Sequence, residues 1–132
     1  MTSRTPAGVP ILRLGNVLVT GVLDELDDRA AQAFTEELTE RIAAESVHGV
    51  LIDISRLELI DSFVARTLSE LTTTARLLGA RVVVAGMRPA VAITLVELGL
   101  ELDGVETALN AEQGMAALGW YHTPRPPAEG PR

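Results

Sequence analysis

The residues of this chain whose types and spacing are suited to chemistry are Asp61, Ser62 and Phe63, in the stretch LIDSFVARTL. They place a carboxylate, a hydroxyl and a large aromatic ring side by side, where an apolar run gives way to a helical pattern. One interpretation is helix capping, because Asp or Ser at a helix start accepts hydrogen bonds from unpaired N–H groups. The other is phosphorylation of the serine, since those N–H groups and the positive end of the helix dipole also stabilise an anion.

Capping does not account for Phe63. The apolar stripe of the helix that follows has a helical period and comprises Val64, Leu68, Leu71, Ala75 and Leu78. Phe63 instead shares a face with the polar positions 67, 70 and 74, so we predict a partly exposed ring beside the serine, as a docking point for a partner. Arg66 lies one turn after Ser62, where it would help to hold a phosphate; the ordinary alternative is a solvated arginine.

Other chemistry has little support in the sequence. The chain has no cysteine and only two histidines, His48 and His122, which lie far apart and in no metal-like spacing. It contains neither a glycine-rich phosphate loop nor a G-x-S-x-G motif. The paired acids at 27–28 and 36–37 are typical of caps and solvated helix faces, although spacing alone leaves a hydrolytic pair open. We therefore expect no enzymatic activity, no metal and no cofactor.

Composition limits the class of protein further. A chain of 132 residues with 47% hydrophobic residues is long enough for one domain with a core, and with only 3% aromatic residues that core must be aliphatic. The formal net charge of -7 argues against nucleic acid or an anionic membrane as a partner. The first residues lack the apolar centre of a signal peptide, so we expect a cytoplasmic protein.

The elements that must position the Ser62 region follow from local patterns. Gly15-Asn16, between two β-rich runs, predicts a hairpin. A helix follows with an apolar stripe of Ala30, Phe34, Leu38 and Ile42. Two continuous apolar runs predict buried strands containing residues 50–52 and 82–84, with Leu68 and Leu71 in the core against them.

The second half of the chain continues the alternation. Pro89 suits the first turn of a helix that ends at Gly99, a short edge strand is expected near LELDGVE, and Asn110 with Gln113 resembles a capping box for a last helix. The order β-β-α-β-α-β-α-(β)-α predicts an α/β fold with a largely parallel sheet and an initial antiparallel hairpin. We place the domain at residues 9–118, with a loose lead-in at 1–8 and a disordered proline-rich segment at 119–132.

Three stretches, VLIDISRLELIDSFVARTL, GMRPAVAITLVELGL and ETALNAEQGMAAL, resemble the STAS-domain antagonists of bacterial stress signalling, and most of all the RsbS-type antagonists of the stressosome. The resemblance implies a single STAS domain with a mixed, largely parallel sheet and packed helices. It also implies phosphorylation by an RsbT-type serine kinase, which the unmodified antagonist holds and the modified one releases. Carried over by position, the acceptor is Ser62. The partners implied are that kinase and RsbR-type paralogues, in homo-oligomers or mixed complexes.

Three alternatives remain open at this point. In a two-component receiver domain, Asp53 would accept the phosphate, but the chain opens β-β-α, has no acidic pair after its first strand and has no lysine. An anti-anti-sigma factor that binds an anti-sigma kinase directly would share the fold and the phosphoserine chemistry. A structural or ligand-binding STAS module would have no phosphorylation at all.

Overall fold

The computed structural model describes residues 10–21, 27–100, 102 and 104–120. The lead-in at 1–8 and residues 121–132, for which the sequence predicts loose structure, lie outside this part, as does His122. The strands are β1 (Ile11–Leu14), β2 (Val17–Gly21), β3 (Gly49–Asp53), β4 (Arg81–Ala85) and β5 (Glu106–Ala108). The helices are α1 (Asp28–Glu45), α2 (Ser62–Leu77), α3 (Pro89–Glu97) and α4 (Ala111–Ala117).

The strands form one sheet in the order β1-β2-β3-β4-β5. The predicted hairpin is confirmed: β1 and β2 are antiparallel around Gly15, whose φ of 63° lies in the left-handed region that glycine tolerates. The other neighbouring strands are parallel. The sheet is therefore mixed and largely parallel, as predicted, and each parallel connection carries a helix.

The core lies on both faces of the sheet. On one face, residues of β2, β3 and β4 pack with α1, α2 and α3 around fully buried side chains such as Phe34, Leu38 and Ile52. The predicted core positions Leu68 and Leu71 are buried there. On the other face, α4 packs its buried Met115 against the sheet. Gly114 allows that close approach, because a side chain at this position would overlap Leu51.

Two predicted core positions were wrong. Leu78 continues the apolar period of α2, but the helix ends at Leu77 and Leu78 is exposed. The N–H groups of Gly79 and Ala80 bond back to Arg76 and Ala75, which is the Schellman ending that turns the chain away from the helix. In α1 the buried residue of the first turn is Ala31 rather than Ala30.

Candidate phosphoacceptor site

The candidate site lies at the carboxyl edge of the sheet. The last residues of the four parallel strands, Gly21, Asp53, Ala85 and Ala108, are paired in register, so these strands end level with one another. Each of the helices α2, α3 and α4 begins beyond the carboxyl end of the strand that precedes it. In open α/β sheets this is the edge at which ligands bind.

Asp61, not Ser62, caps helix α2. The Asp61 backbone is extended (φ -98°, ψ 175°), and its Oδ1 accepts a hydrogen bond of 2.8 Å from the Val64 N–H. Its carbonyl oxygen accepts the first helical bond, from the Ala65 N–H at 3.0 Å. Ser62 is the first residue of the helix and is exposed. Within the described part of the chain its hydroxyl makes no hydrogen bond, so capping is the role of Asp61, and phosphorylation of Ser62 stays a prediction.

Phe63 is half-buried, which agrees with the predicted partial exposure. Its ring packs against the core and lines a groove of about 250 Å³ between α1 and α2. Three carboxylate residues, Asp28, Glu36 and Glu70, line the same groove. The aromatic surface beside Ser62 is thus the wall of an acidic groove rather than a ring standing free in solvent.

Arg66 is exposed and lies four residues after Ser62 on α2. Residues four apart on a helix are neighbours on its surface. Among the described residues Arg66 makes no hydrogen bond or ion pair, so its guanidinium is available to an added charge at Ser62. Its role as a phosphate ligand stays a prediction.

The loop that delivers Ser62 is held by residues that the sequence reasoning missed. The Arg88 Nε donates to the Ser55 carbonyl oxygen at 2.9 Å, across 33 positions of the chain. Gly86 has φ 78°, and a Cβ there would come within 2.7 Å of the Ser55 Cβ. A glycine directly after a buried strand was the available signal, but the sequence does not show which loop it approaches.

Asp53 closes the turn after β3. Its Oδ1 accepts a hydrogen bond of 2.9 Å from the Ser55 N–H. Asp53 therefore caps the loop that follows β3. The carboxylate that a receiver domain would phosphorylate is thus engaged in holding the loop.

The same loop exposes a large apolar side chain. Leu59 is 76% exposed, whereas Leu57 and Ile60 on either side of it are buried. The two buried residues anchor the loop to the core and direct Leu59 outward, a few residues from the Ser62 hydroxyl. Leu59 and Ser62 are therefore both exposed, three positions apart on the stretch that leads into α2.

Other kinds of site are not found among the described residues. They contain no group of three or more His, Cys, Asp or Glu side chains placed to hold a metal ion. None of the helices in the described part is both long and apolar enough to cross a membrane. His48, before β3, is exposed, and its Nε2 lies 3.3 Å from the Leu118 carbonyl oxygen.

Comparison with known proteins agrees with the fold and with the resemblance. The STAS domain model matches residues 9–112. A serine-to-glutamate variant of RsbS from Moorella thermoacetica is 43% identical, with a TM-score of 0.77, over 84% of this chain and 94% of that one. A chain from a structure of the stressosome, described as a signal integration and transduction hub, is 44% identical, with a TM-score of 0.76, over 83% of this chain and 96% of that one.

A longer relative matches as well. RsbRA of Bacillus subtilis, a co-antagonist of RsbT, is 31% identical over 100 residues, which are 76% of this chain and 36% of RsbRA. The chain therefore spans about a third of the length of this curated relative. The two solved chains, in contrast, are matched over nearly their whole length.

Proposed function

Since the chain belongs to the STAS family, we propose that it is an RsbS-type antagonist that acts as a scaffold component of a stressosome and not as an enzyme. In the unmodified state it holds an RsbT-type serine kinase, and phosphorylation of Ser62 releases that kinase. The observation that carries the proposal is the exposed Ser62 hydroxyl, which starts α2 while its neighbour Asp61 does the capping. The identity of 43–44% to RsbS and to the stressosome chain supports it.

Phosphorylation of Ser62 should leave the domain folded. A phosphate adds about -1.5 to -2 charges at neutral pH. The N-terminus of α2 stabilises an anion by roughly 0.3–1 kcal/mol, and the neighbouring Asp61 opposes it as a like charge. Both effects are small beside the roughly 5–15 kcal/mol that hold a domain of this size together. The modification therefore acts on the surface and not on the fold.

At a docked interface the same phosphate is strongly unfavourable. It would be desolvated beside Asp61 and near the acidic groove that Asp28 and Glu70 line. A dianion at the contact loses its water and is repelled by the neighbouring carboxylates of this chain, so binding weakens unless a cation replaces that water. Arg66 offers one such cation on the same helix, which would hold the phosphate against this chain rather than against the kinase.

Assembly with other STAS domains is part of the proposal. The RsbS-like structural relatives include a chain of the stressosome, and the relatives in sequence include co-antagonists of RsbT. We propose that this chain forms homo-oligomers or mixed complexes with RsbR-type paralogues. Light scattering of the chain alone and with its native paralogue tests this: a monomer in both samples contradicts it.

The test of the switch is incubation with the RsbT-type kinase of the same organism and ATP, followed by mapping of the phosphate by mass spectrometry. The expected product carries one phosphate on Ser62 and binds the kinase weakly by calorimetry. Ser62→Ala should stay unmodified and hold the kinase permanently, and Ser62→Asp should mimic the phosphorylated form only in part. Thr73→Ala, which removes another exposed hydroxyl of α2, is the matched control and should behave as wild type. A phosphate elsewhere, or equal modification of Ser62→Ala, refutes the proposal.

The three alternatives are separated by the sheet topology and by three experiments. A receiver domain has the strand order 2-1-3-4-5, whereas this sheet runs β1 to β5 in sequence with an antiparallel edge. Acid treatment separates the two further, because a phosphoserine survives acid and an acyl phosphate does not. An anti-anti-sigma factor would differ only in its partner, which pull-down from the native cell identifies. A module without phosphorylation predicts no effect of Ser62→Ala on signalling.

A further inference from the structure

The face of the sheet that carries α4 is only partly covered. Among the described residues α4 packs mainly on β3, β4 and β5, and Val17 of β2 is buried on this side as well, whereas the rest of the hairpin is less covered. Leu12 and Leu14 of β1 are 58% and 39% exposed there, and Val19 of β2 is half-buried. Large aliphatic side chains in a row on a sheet face are costly to leave in water.

A groove of about 510 Å³ runs between this open face and α4. Leu14, Val19 and Leu51 form its floor, and Met115 and Trp120 form the side nearest α4. The only carboxylate on its lining is Glu112. This groove is larger and more apolar than the groove between α1 and α2, and it lies on the opposite face of the sheet from it.

Trp120, the only tryptophan of the chain, stands at the rim of this groove. Its backbone N–H donates a hydrogen bond of 2.9 Å to the Met115 carbonyl oxygen, which completes the Schellman ending of α4. Its indole lies beside the hairpin turn, since a Cβ built on Gly15 would be 3.7 Å from the Trp120 Cδ1. The chain therefore leaves the described fold at the mouth of the groove.

The segment that continues from Trp120 has the composition of a groove ligand. Residues 121–132 read YHTPRPPAEGPR, with four prolines in twelve residues. Proline-rich segments favour the extended polyproline II conformation, which loses little entropy on binding and docks in grooves lined by aromatic and apolar side chains. At about 3.1 Å per residue, twelve residues reach roughly 37 Å. The full width of five strands is only about 19 Å, so the groove is within reach.

Charge favours the same pairing. The segment contains two arginines, Arg125 and Arg132, and one acid, Glu129, so its formal charge is +1. The rest of the chain therefore carries -8, which gives the net charge of -7. Glu112, on the groove lining, has the charge opposite to that of these arginines. A segment joined directly to the rim also has an effective concentration in the millimolar range, so weak contacts suffice to hold it.

We propose that residues 121–132 dock in the groove formed by Leu14, Val19, Leu51, Met115 and Trp120 of the same chain. The docked segment covers the apolar hairpin face and shields it from a second STAS domain. This interaction is independent of Ser62 and of the groove between α1 and α2, because both helices lie on the other face of the sheet. It assigns a role to the proline-rich segment that the switch at Ser62 does not require.

Quenching of Trp120 fluorescence by acrylamide in the full chain is the test, because no other tryptophan contributes. Pro126→Gly combined with Pro127→Gly lowers the preference of this sequence for polyproline II and changes none of the described residues, and it should raise the quenching constant at least two-fold. Leu14→Asp damages the groove itself and should do the same. Leu77→Asp, at a position of α2 that is 81% exposed, is the matched control and should leave quenching unchanged.

Nuclear Overhauser contacts in the full chain supply the second measurement. Docking predicts contacts between proline protons of 121–132 and the methyl groups of Val19 and Met115, at the same intensity when the protein is diluted ten-fold. Equal quenching of wild type and the proline variant, with no such contacts, overturns the proposal. Protection of Trp120 that disappears on dilution, together with a dimer in light scattering, overturns it in favour of a second copy in the groove. Neither result bears on phosphorylation of Ser62.

Discussion

Substitutions at Asp61 and Ser62 separate the structural role of this stretch from its proposed signalling role. Asp61→Ala removes the 2.8 Å hydrogen bond from the Val64 N–H and the charge at the helix start. Asp61→Asn keeps an oxygen that can accept the bond and removes only the charge, so it is the matched control. Ser62→Ala removes a hydroxyl that bonds to nothing in the described part of the chain.

The expected magnitudes differ enough to be measured. Loss of an N-cap costs about 1 kcal/mol, within a range of roughly 0.5–2 kcal/mol. Asp61 is exposed, so water can solvate the freed N–H and the upper end of that range is not expected. Asp61→Asn should lose only the dipole interaction, roughly 0.3–1 kcal/mol. Ser62→Ala should change the free energy of unfolding by less than about 0.5 kcal/mol in either direction.

Urea unfolding followed by circular dichroism is the assay. With an m-value of about 2 kcal/mol/M, a cost of 1 kcal/mol lowers the midpoint by roughly 0.5 M at unchanged slope. The kinase assay is run on the same proteins, where only Ser62→Ala should abolish phosphorylation. If Ser62→Ala destabilises the domain as much as Asp61→Ala does, the serine is a structural cap and the division of roles between the two residues is wrong.

Three further predictions concern the fold. Leu68→Ala, on the buried face of α2, should cost on the order of 2–5 kcal/mol in urea unfolding; a cost below 1 kcal/mol would contradict its buried position. Gly86→Ala should cost about 1–3 kcal/mol and shift the amide resonances near Ser55, because φ is positive and the loops are in contact; unchanged spectra would refute that contact. The hydrogen bond from Arg41 lowers the pKa of Glu45 in the folded state, so the pair stabilises the fold fully above the unfolded-state pKa of Glu45 and loses this effect as the pH falls through its folded-state pKa. Arg41→Met should therefore raise the pKa of Glu45 in a carboxyl NMR titration. An unchanged titration midpoint would show that Arg41 is not the cause of the lowered pKa.

The sequence determined those features that depend on residues a few positions apart. Gly15-Asn16 between two β-rich runs specified the hairpin. The helical period of α2 placed Leu68 and Leu71 in the core. The order of strands and helices specified a mixed, largely parallel sheet, and Asp61 stood where the pattern changes from loop to helix. Local propensity, periodicity and capping are properties of neighbouring residues, so a single sequence is enough to identify them.

The surroundings of the site were decided by the tertiary structure alone. The pattern of α2 left Phe63 on a polar face, and only the packing of α1 beside it turned that face into an acidic groove. The support of the Ser62 loop by Gly86 and Arg88 depends on the parallel pairing of β3 and β4, which brings two loops to one edge of the sheet. Trp120 lies beside Gly15, more than a hundred positions away in the chain, because α4 packs on the face of the sheet that carries Val17 and Val19 of β2. Such contacts follow from which strands pair and from the face of the sheet on which each helix packs, and both are decided by packing between distant parts of the chain.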